Sequence, residues 1–160
     1  MQRTHFSDST CPVARTLDVV GDWWSLLIIR DAFDGVRRFG DFQRGLGVAK
    51  NVLTTRLKGL VAAEVLEVVP ASDGSAYSEY ALTEKGRGLF PVIVGLRQWG
   101  EDNLFRPGER RSELVDAAKG RPIARLEVQA SDGRPLRPDE AIVKKVPLVA
   151  GRTAKRRRST

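Results

Sequence analysis

A pair of short amphipathic helical patterns, separated by glycines, occupies residues 37–60, which read RRFGDFQRGLGVAKNVLTTRLKGL. In the first pattern, Phe39, Phe42 and Leu46 fall on one helical stripe. Gly45 and Gly47 bracket the break, where a tight turn between helices favours positive φ. The second pattern predicts a helix whose buried side is formed by Val52, Leu53, Leu57 and Leu60. Two helices in this order are typical of a helix-turn-helix.

The outward side of the second helix is polar and positively charged. With Leu53 and Leu57 at the buried centre, a step of about 100° per residue turns the intervening polar residues outward. Residues 37–58 hold six Lys or Arg and one acid, Asp41. A face of this kind can enter a DNA major groove, where such side chains meet base edges and phosphates. We therefore expect double-stranded DNA as partner, the alternative being a solvated helix in an ordinary bundle.

Each polar residue of this segment receives a hypothetical role. Four residues on the outward face of the second helix are expected to face the major groove: Asn51, Thr54, Thr55 and Lys58. Phosphate contacts are expected from Arg37, Arg38, Arg44 and Lys50. Arg56 lies at the flank of the helix, where a phosphate and an acidic neighbour are equally good partners.

The residues after the second helix predict a two-stranded hairpin. Residues 65–69 (VLEVV) have strand character, Pro70 and residues 72–75 (SDGS) signal a turn, and residues 77–82 predict the return strand. A hairpin directly after a helix-turn-helix is a winged helix. The expected fold class is therefore α+β, mainly α.

Two further helices are expected to provide a dimer contact. One begins at Cys11-Pro12 and ends near Val20, and Asp22 then caps a nearly all-apolar helix over residues 23–33. The other covers residues 83–104, with Pro91 either kinking it or marking a restarted segment. The predicted homodimer interface consists of apolar residues from the first and last helices: Val13, Leu17, Val92, Leu96 and Trp99. The alternative is that the last helix packs on its own domain.

Charge and composition divide the chain. Residues 1–104 contain 12 Lys or Arg and 13 acids, whereas residues 105–160 contain 15 and 7. We therefore expect a DNA-binding and dimerisation domain over 1–104. A small β-rich, basic appendage follows over 105–150, with strands at 123–129 and 141–146. Residues 151–160 are expected to form a disordered basic tail.

Several function classes are disfavoured by composition. One Cys cannot form an internal disulfide, and one His with one Cys cannot assemble a usual zinc or iron site, so no metal or cofactor is expected. No apolar run approaches the ~18 residues of a membrane span, and the N-terminus lacks a signal-peptide core. No nucleophile–base pair indicates catalytic residues. We expect a cytoplasmic protein that is not an enzyme and has no membrane partner.

Four ordered motifs resemble the HxlR-type family of bacterial winged-helix regulators over about residues 11–104. They are CPVARTLDVVGDWW, RRFGDFQRGL, LTTRLKGL and YALTEKGRGLFPVIVGLRQWG. The resemblance implies a dimeric DNA-binding transcriptional regulator, more often a repressor, whose dimer contact uses the first and last helices. This chain departs from the family pattern in Asp22 before the tryptophan, in Ala49 where a serine cap is more usual, and in a wing tip, residues 72–76, without Lys or Arg.

Two regulatory hypotheses follow. Cys11 at a helix N-terminus is a candidate redox or electrophile switch, because the helix dipole stabilises a thiolate there and because the resemblance implies thiol switching in relatives. The alternative for Cys11 is a packing role at the dimer seam. A small apolar effector is the second hypothesis, held between subunits by an aromatic seam of Trp23, Trp24, Phe90 and Trp99, for which core packing is the commoner use.

Two functional readings remain. The leading one is a sequence-specific transcriptional regulator. The other is a non-specific architectural nucleic-acid binder that uses the basic C-terminal tail.

Overall fold

The computed structural model describes residues 5–145. Its helices are α1 (Pro12–Val20), α2 (Trp23–Phe33), α3 (Phe39–Leu46), α4 (Lys50–Ala62), α5 (Glu84–Arg87) and α6 (Phe90–Asn103), followed by a 3-10 turn at Pro138–Glu140. Strands β1 (Leu66–Pro70) and β2 (Ser78–Leu82) lie between α4 and α5. This arrangement confirms a mainly helical winged helix-turn-helix.

Local sequence signals explain where the helices begin and end. Pro12 occupies the first turn of α1, where its missing N–H removes no helical hydrogen bond. The Asp22 carboxylate caps α2 by accepting from the Ser25 N–H at 3.1 Å. Gly47 ends α3 with φ of 62°, a conformation that a side chain would disfavour. Gly45, predicted to bracket the break, instead lies within α3, since one left-handed residue suffices for the turn.

Helix α2 is the centre of the domain, as its all-round apolar sequence predicts. It contacts α1, α3, α4, α6 and β2. Most of the largest fully buried side chains come from α2, both helices of the helix-turn-helix and the first strand: Ile28, Ile29, Phe42, Leu53, Leu57, Leu60 and Leu66. Burial of these side chains is the main favourable term holding α4 in a fixed orientation.

The wing is an antiparallel hairpin whose strands pair from Leu66↔Leu82 to Pro70↔Ser78. Both strands agree with the predicted ones to within a residue at each end. The wing is also joined to the start of α3, because the Tyr80 N–H donates to the Arg37 carbonyl at 2.8 Å. The hairpin is therefore held at the edge of the helix-turn-helix.

The predicted long helix over 83–104 is divided into α5 and α6. Thr83 caps α5 by accepting from the Gly86 N–H. A Cβ on Gly86 would lie 2.1 Å from the Val65 carbonyl oxygen, so glycine allows α5 to pack against the base of the wing. Pro91 lies in the first turn of α6, which confirms the restarted segment over the kink.

The predicted strands of the appendage are wrong within the described residues. Residues 105–145, which we call the extension, contain no strand, and their β pairing is limited to the isolated bridges Val115↔Pro122 and Gln129↔Pro135. Residues 123–129 are held by a side chain instead: the buried Gln98 amide of α6 donates to the Ala124 carbonyl and accepts from the Leu126 N–H. A side-chain amide thus replaces a partner strand. Val146 and the tail at 151–160 lie outside the described residues.

Candidate nucleic-acid interface

The outward face of α4 is the strongest candidate surface for nucleic acid. Lys50, Asn51, Thr55 and Lys58 are exposed, while Leu53 and Leu57 on the opposite side are fully buried. Within residues 5–145, the side chains of Lys50, Asn51 and Lys58 have no hydrogen-bond or ion-pair partner. Helix α4 itself contains no acid. Two cations and an amide therefore project from one rigid helix without an internal partner.

The two threonines of α4 use their hydroxyl protons internally. Thr54 Oγ1 donates to the Lys50 carbonyl at 2.8 Å, and Thr55 Oγ1 donates to the Asn51 carbonyl at 2.9 Å. Each oxygen keeps its acceptor lone pairs, and each side chain keeps its methyl group. Towards a base, these residues can therefore offer an acceptor or an apolar contact to a thymine methyl.

Arg56 is engaged within the protein. Its Nε lies 3.1 Å from Asp22 Oδ1, the carboxylate that caps α2. The sequence left two partners open for Arg56, a phosphate and an acidic side chain, and the structure shows the acidic side chain. This ion pair links α4 to the junction between α1 and α2, so Arg56 fixes the position of α4 relative to the N-terminal helices.

Arg37 and Arg38 face the wing. Arg37 Nε lies 2.8 Å from Glu79 Oε2. Arg38 lies 2.5 Å from Asp73 Oδ2 and 3.4 Å from Glu79 Oε1. The Glu79 side chain is only 3% exposed, and its Oε1 also accepts from Ser72 Oγ at 3.1 Å. These five residues form a group that we call the wing clamp, in which two cations meet two carboxylates.

Electrostatic shifts in the wing clamp agree with this arrangement. Burial alone would raise the pKa of Glu79, but hydrogen bonds from Ser72 and Arg38, together with the positive charge of Arg37, outweigh it and lower that pKa. Hydrogen bonds from Ser75 and Arg38 hold the pKa of Asp73 well below its usual range. Asp73 and Glu79 in turn raise the pKa of Arg38. Both carboxylates are therefore ionised at neutral pH.

The remaining predicted phosphate contact, Arg44, pairs with Asp41 one turn earlier on α3. Both side chains are largely exposed, so this surface pair is weak and leaves Arg44 able to exchange partners. Ala49 precedes α4 without a side-chain cap. The first backbone N–H groups of α4 consequently remain available to an anion.

Sequence reasoning missed the wing clamp and the Asp22–Arg56 pair. Their members lie up to 42 positions apart, as Arg37 and Glu79 do, so local periodicity carries no trace of the pairing. One sequence signal was available, because the wing tip at 72–76 contains an acid and no Lys or Arg. An acidic wing tip beside an arginine pair indicates an internal contact.

The predicted dimer residues are exposed apolar side chains in the single chain. Val13 and Leu17 of α1 are 65% and 53% exposed, and Trp99 of α6 is 61% exposed. Val92 and Leu96 are also exposed. Cys11 lies exposed at the N-cap of α1 beside this surface, with its N–H donating to Ser9 Oγ.

The predicted aromatic seam is not one cluster. Trp23 makes an edge contact with Trp24 at 5.9 Å between ring centroids, whereas Phe90 contacts Phe33 at 5.2 Å. No ring contact joins Trp99 to the others in the described part of the chain. Within one chain the four residues are therefore not joined by ring contacts, and a seam between two subunits stays a prediction.

Within residues 5–145, each helix is too short or too polar to cross a bilayer. No group of three His, Cys, Asp or Glu side chains in that range is placed to hold a metal ion.

The fold is that of a winged helix-turn-helix, and an exposed basic and polar α4 face is typical of the DNA-binding proteins of this class. The particular family follows from sequence comparison: the profile of the HxlR-like helix-turn-helix family matches residues 19–107. The chain belongs to this family, which confirms the resemblance carried by the four motifs.

Similar proteins are transcriptional regulators by name. The HTH-type transcriptional regulator Mb3122 of Mycobacterium bovis is 50% identical over 95 residues, which are 59% of this chain and 60% of that relative. This chain thus matches about 60% of the length of that relative. The crystal structure of PA1607, a proposed transcription factor, matches with a TM-score of 0.84 at 52% identity and covers 89% of this chain and 100% of PA1607.

A third similar protein is named for its chemistry. The redox regulator HypR in its oxidised form matches with a TM-score of 0.53 at 35% identity. That match covers 58% of this chain and 97% of HypR. The PA1607 match extends further along the chain, and therefore includes much of the extension.

Proposed function

We propose that this protein is a sequence-specific DNA-binding transcriptional regulator that acts as a homodimer. The observation that carries the proposal is the outward face of α4, where Lys50, Asn51 and Lys58 project without internal partners. Asn51 can bond adenine bidentately in a major groove, and the lysines can meet phosphates or guanine. Membership of the HxlR-like family supports the same conclusion.

The exposed apolar surface supports dimerisation. Contiguous exposed apolar side chains are unfavourable in a monomer, and they mark interaction surfaces. Val13 and Leu17 of α1, and Val92, Leu96 and Trp99 of α6, are such exposed side chains. A two-fold dimer through them presents two α4 helices, which suits half-sites about 34 Å apart on DNA.

Repression is the proposed direction of regulation. A dimer that binds a promoter in the cytoplasm blocks polymerase by occupancy alone, which requires no activating surface. The test of sequence specificity is binding to fragments of the protein's own genomic neighbourhood at ~150 mM salt with excess competitor DNA. Tight binding to one upstream fragment supports the proposal. Uniform weak binding to every fragment would instead favour an architectural binder that uses the basic tail.

Thiol oxidation is the proposed signal for this regulation. Cys11 is exposed at the start of α1, beside the proposed dimer surface, and the similar protein HypR is named a redox regulator. With diamide as oxidant, two Cys11 thiols of a dimer would lose two protons and two electrons to form an intersubunit disulfide. Diamide would be reduced to the hydrazine.

A Cys11→Ser variant tests the redox proposal separately from DNA binding. We expect diamide to release the wild-type protein from its upstream fragment and to leave Cys11→Ser bound. A non-reducing gel distinguishes an intersubunit disulfide, which doubles the apparent mass, from a mixed disulfide, which does not. Equal release of the wild type and Cys11→Ser would remove Cys11 as the sensor.

A further inference from the structure

A cavity of about 300 Å³ opens between α2, α6 and the beginning of the extension. Its apolar wall is formed by Leu26 and Leu27 of α2, Ile93 and Leu96 of α6, and Phe105. This volume lies at the lower end of the range that is typical of small-molecule sites. The four aromatic residues of the predicted seam do not line it, so this cavity is a different place in the molecule.

Three arginines border the cavity, and their internal partners differ. Arg30 lies 2.6 Å from Asp31. Arg97 donates to the Ser112 carbonyl at 3.0 Å and lies 3.7 Å from Glu101. Arg111, from the extension, has no side-chain partner within residues 5–145. One exposed guanidinium is therefore left over beside an apolar wall.

We propose that this cavity binds a small organic carboxylate with an aromatic or branched aliphatic body, of about the size of benzoate. The apolar body would displace water from the leucine wall, which is the favourable term for such ligands. The carboxylate would pair with the Arg111 guanidinium, whose planar donors suit two carboxylate oxygens. Arg30 and Arg97 keep their carboxylate partners Asp31 and Glu101, and Glu101 itself lines the cavity, so charge recognition falls to Arg111.

The position of the cavity gives binding a consequence for DNA. Its walls come from α2, α6 and the extension, and α2 also packs against α4. A ligand in the cavity would thus lie between α6, which is the proposed dimer helix, and α2, which supports the DNA-facing helix α4. This effect on DNA rests on the proposed function, whereas binding of the carboxylate does not.

Calorimetry of the full chain without DNA tests the site, with benzoate and phenylacetate as probes and benzamide as the uncharged control. We expect saturable one-site binding of the acids and at least about tenfold weaker binding of benzamide. Arg111→Ala should weaken benzoate binding by a similar factor. The matched control is Arg110→Ala, since Arg110 is an exposed neighbour that does not line the cavity, and it should bind as the wild type does.

The second variant is designed to fill the cavity. A Cβ on Gly100 would meet nothing within 4 Å, and Gly100 lines the cavity, so Gly100→Leu should fold and abolish binding of both acids. The proposal would be overturned by absence of acid binding to the wild type, by equal effects of Arg111→Ala and Arg110→Ala, or by unchanged binding to a folded Gly100→Leu. A change in operator affinity with benzoate, absent in Gly100→Leu, would extend the site to regulation.

Discussion

The cations of this domain fall into two groups with opposite surroundings. Lys50 and Lys58 on α4 have no internal partner in the described residues, whereas Arg37 and Arg38 of the wing clamp lie between Glu79 and Asp73. All four residues belong to the same basic segment of sequence. From this difference we propose that the positive charge of this segment serves two purposes: some of it is left for a polyanion, and some of it holds the wing in place.

The geometry of each group agrees with its purpose. The α4 cations project from a helix whose opposite face is fully buried, so they are presented rigidly. The clamp arginines contact a carboxylate that is 3% exposed on its side chain, and removing one partner of a buried pair leaves an uncompensated charge. We therefore propose that Arg37 and Arg38 are positioning residues for the wing more than phosphate contacts.

The largest expected effect comes from removing both α4 lysines. We predict that Lys50→Ala combined with Lys58→Ala lowers affinity for every DNA sequence by about 100-fold at low salt, because two phosphate contacts are lost. The thermal midpoint should stay unchanged, since neither side chain has an internal partner. Fluorescence anisotropy with specific and scrambled duplexes measures the DNA affinity. Equal affinity of this variant and the wild type would place the DNA contact elsewhere.

Sequence preference should depend on the amide of α4. We predict that Asn51→Ala lowers discrimination at one adenine position by about tenfold, in line with the ~1–3 kcal/mol of a bidentate base contact. Affinity for scrambled DNA should not change. Competition by single-base variants of the upstream fragment makes the measurement, and a loss that is uniform across all positions would argue against base readout by Asn51.

A smaller effect on DNA, but a clear one on stability, is expected from the wing clamp. We predict that Glu79→Gln lowers the thermal midpoint by a few degrees, because Arg37 loses its carboxylate. DNA affinity should fall only severalfold, through a less ordered wing. Glu67→Gln is the matched control, since Glu67 is an exposed residue of β1 without a side-chain partner in the described chain.

The smallest expected effect is a pH dependence of the same clamp. The pKa values of Asp73 and Glu79 lie below their usual values, so the folded state binds fewer protons than the unfolded chain. Their contribution to stability is present above the unfolded pKa values of about 4 and is lost as pH falls below them. We predict that the difference in thermal midpoint between wild type and Glu79→Gln shrinks between pH 6 and pH 3. A constant difference would mean that the Glu79 charge is not responsible.

Local patterns in the sequence account for most of the fold. Each of these patterns involves residues only a few positions apart, and each was predictable: the apolar periodicities of α1 to α4, the Asp22 cap and the start of α6 near Pro91. The two wing strands were predicted to within a residue from their composition and from the turn at residues 72–75. The same locality explains why Asn51, Thr55 and Lys58 were correctly expected to be exposed on α4.

The errors concern contacts between distant residues. Residues 123–129 alternate as a strand does, yet they find no partner strand in the described chain and are held by the Gln98 amide instead. Likewise, local patterns do not predict the ion pairs of Arg37 and Arg38 with Glu79, about 40 positions later, or that of Arg38 with Asp73. Alternation and charge indicate which structures and contacts are possible for a segment, whereas its tertiary neighbours determine which of them form.

The most direct test of the two-group interpretation is the salt dependence of DNA binding. The slope of log affinity against log salt should be measured on one upstream fragment for wild type, Lys58→Ala and Arg37→Ala. We predict that Lys58→Ala reduces the magnitude of the slope by about one, the signature of one lost phosphate contact, and that Arg37→Ala leaves it unchanged while lowering the thermal midpoint. An equal reduction in both variants, or a reduction in Arg37→Ala alone, would contradict the division of these cations into DNA-binding and wing-holding groups.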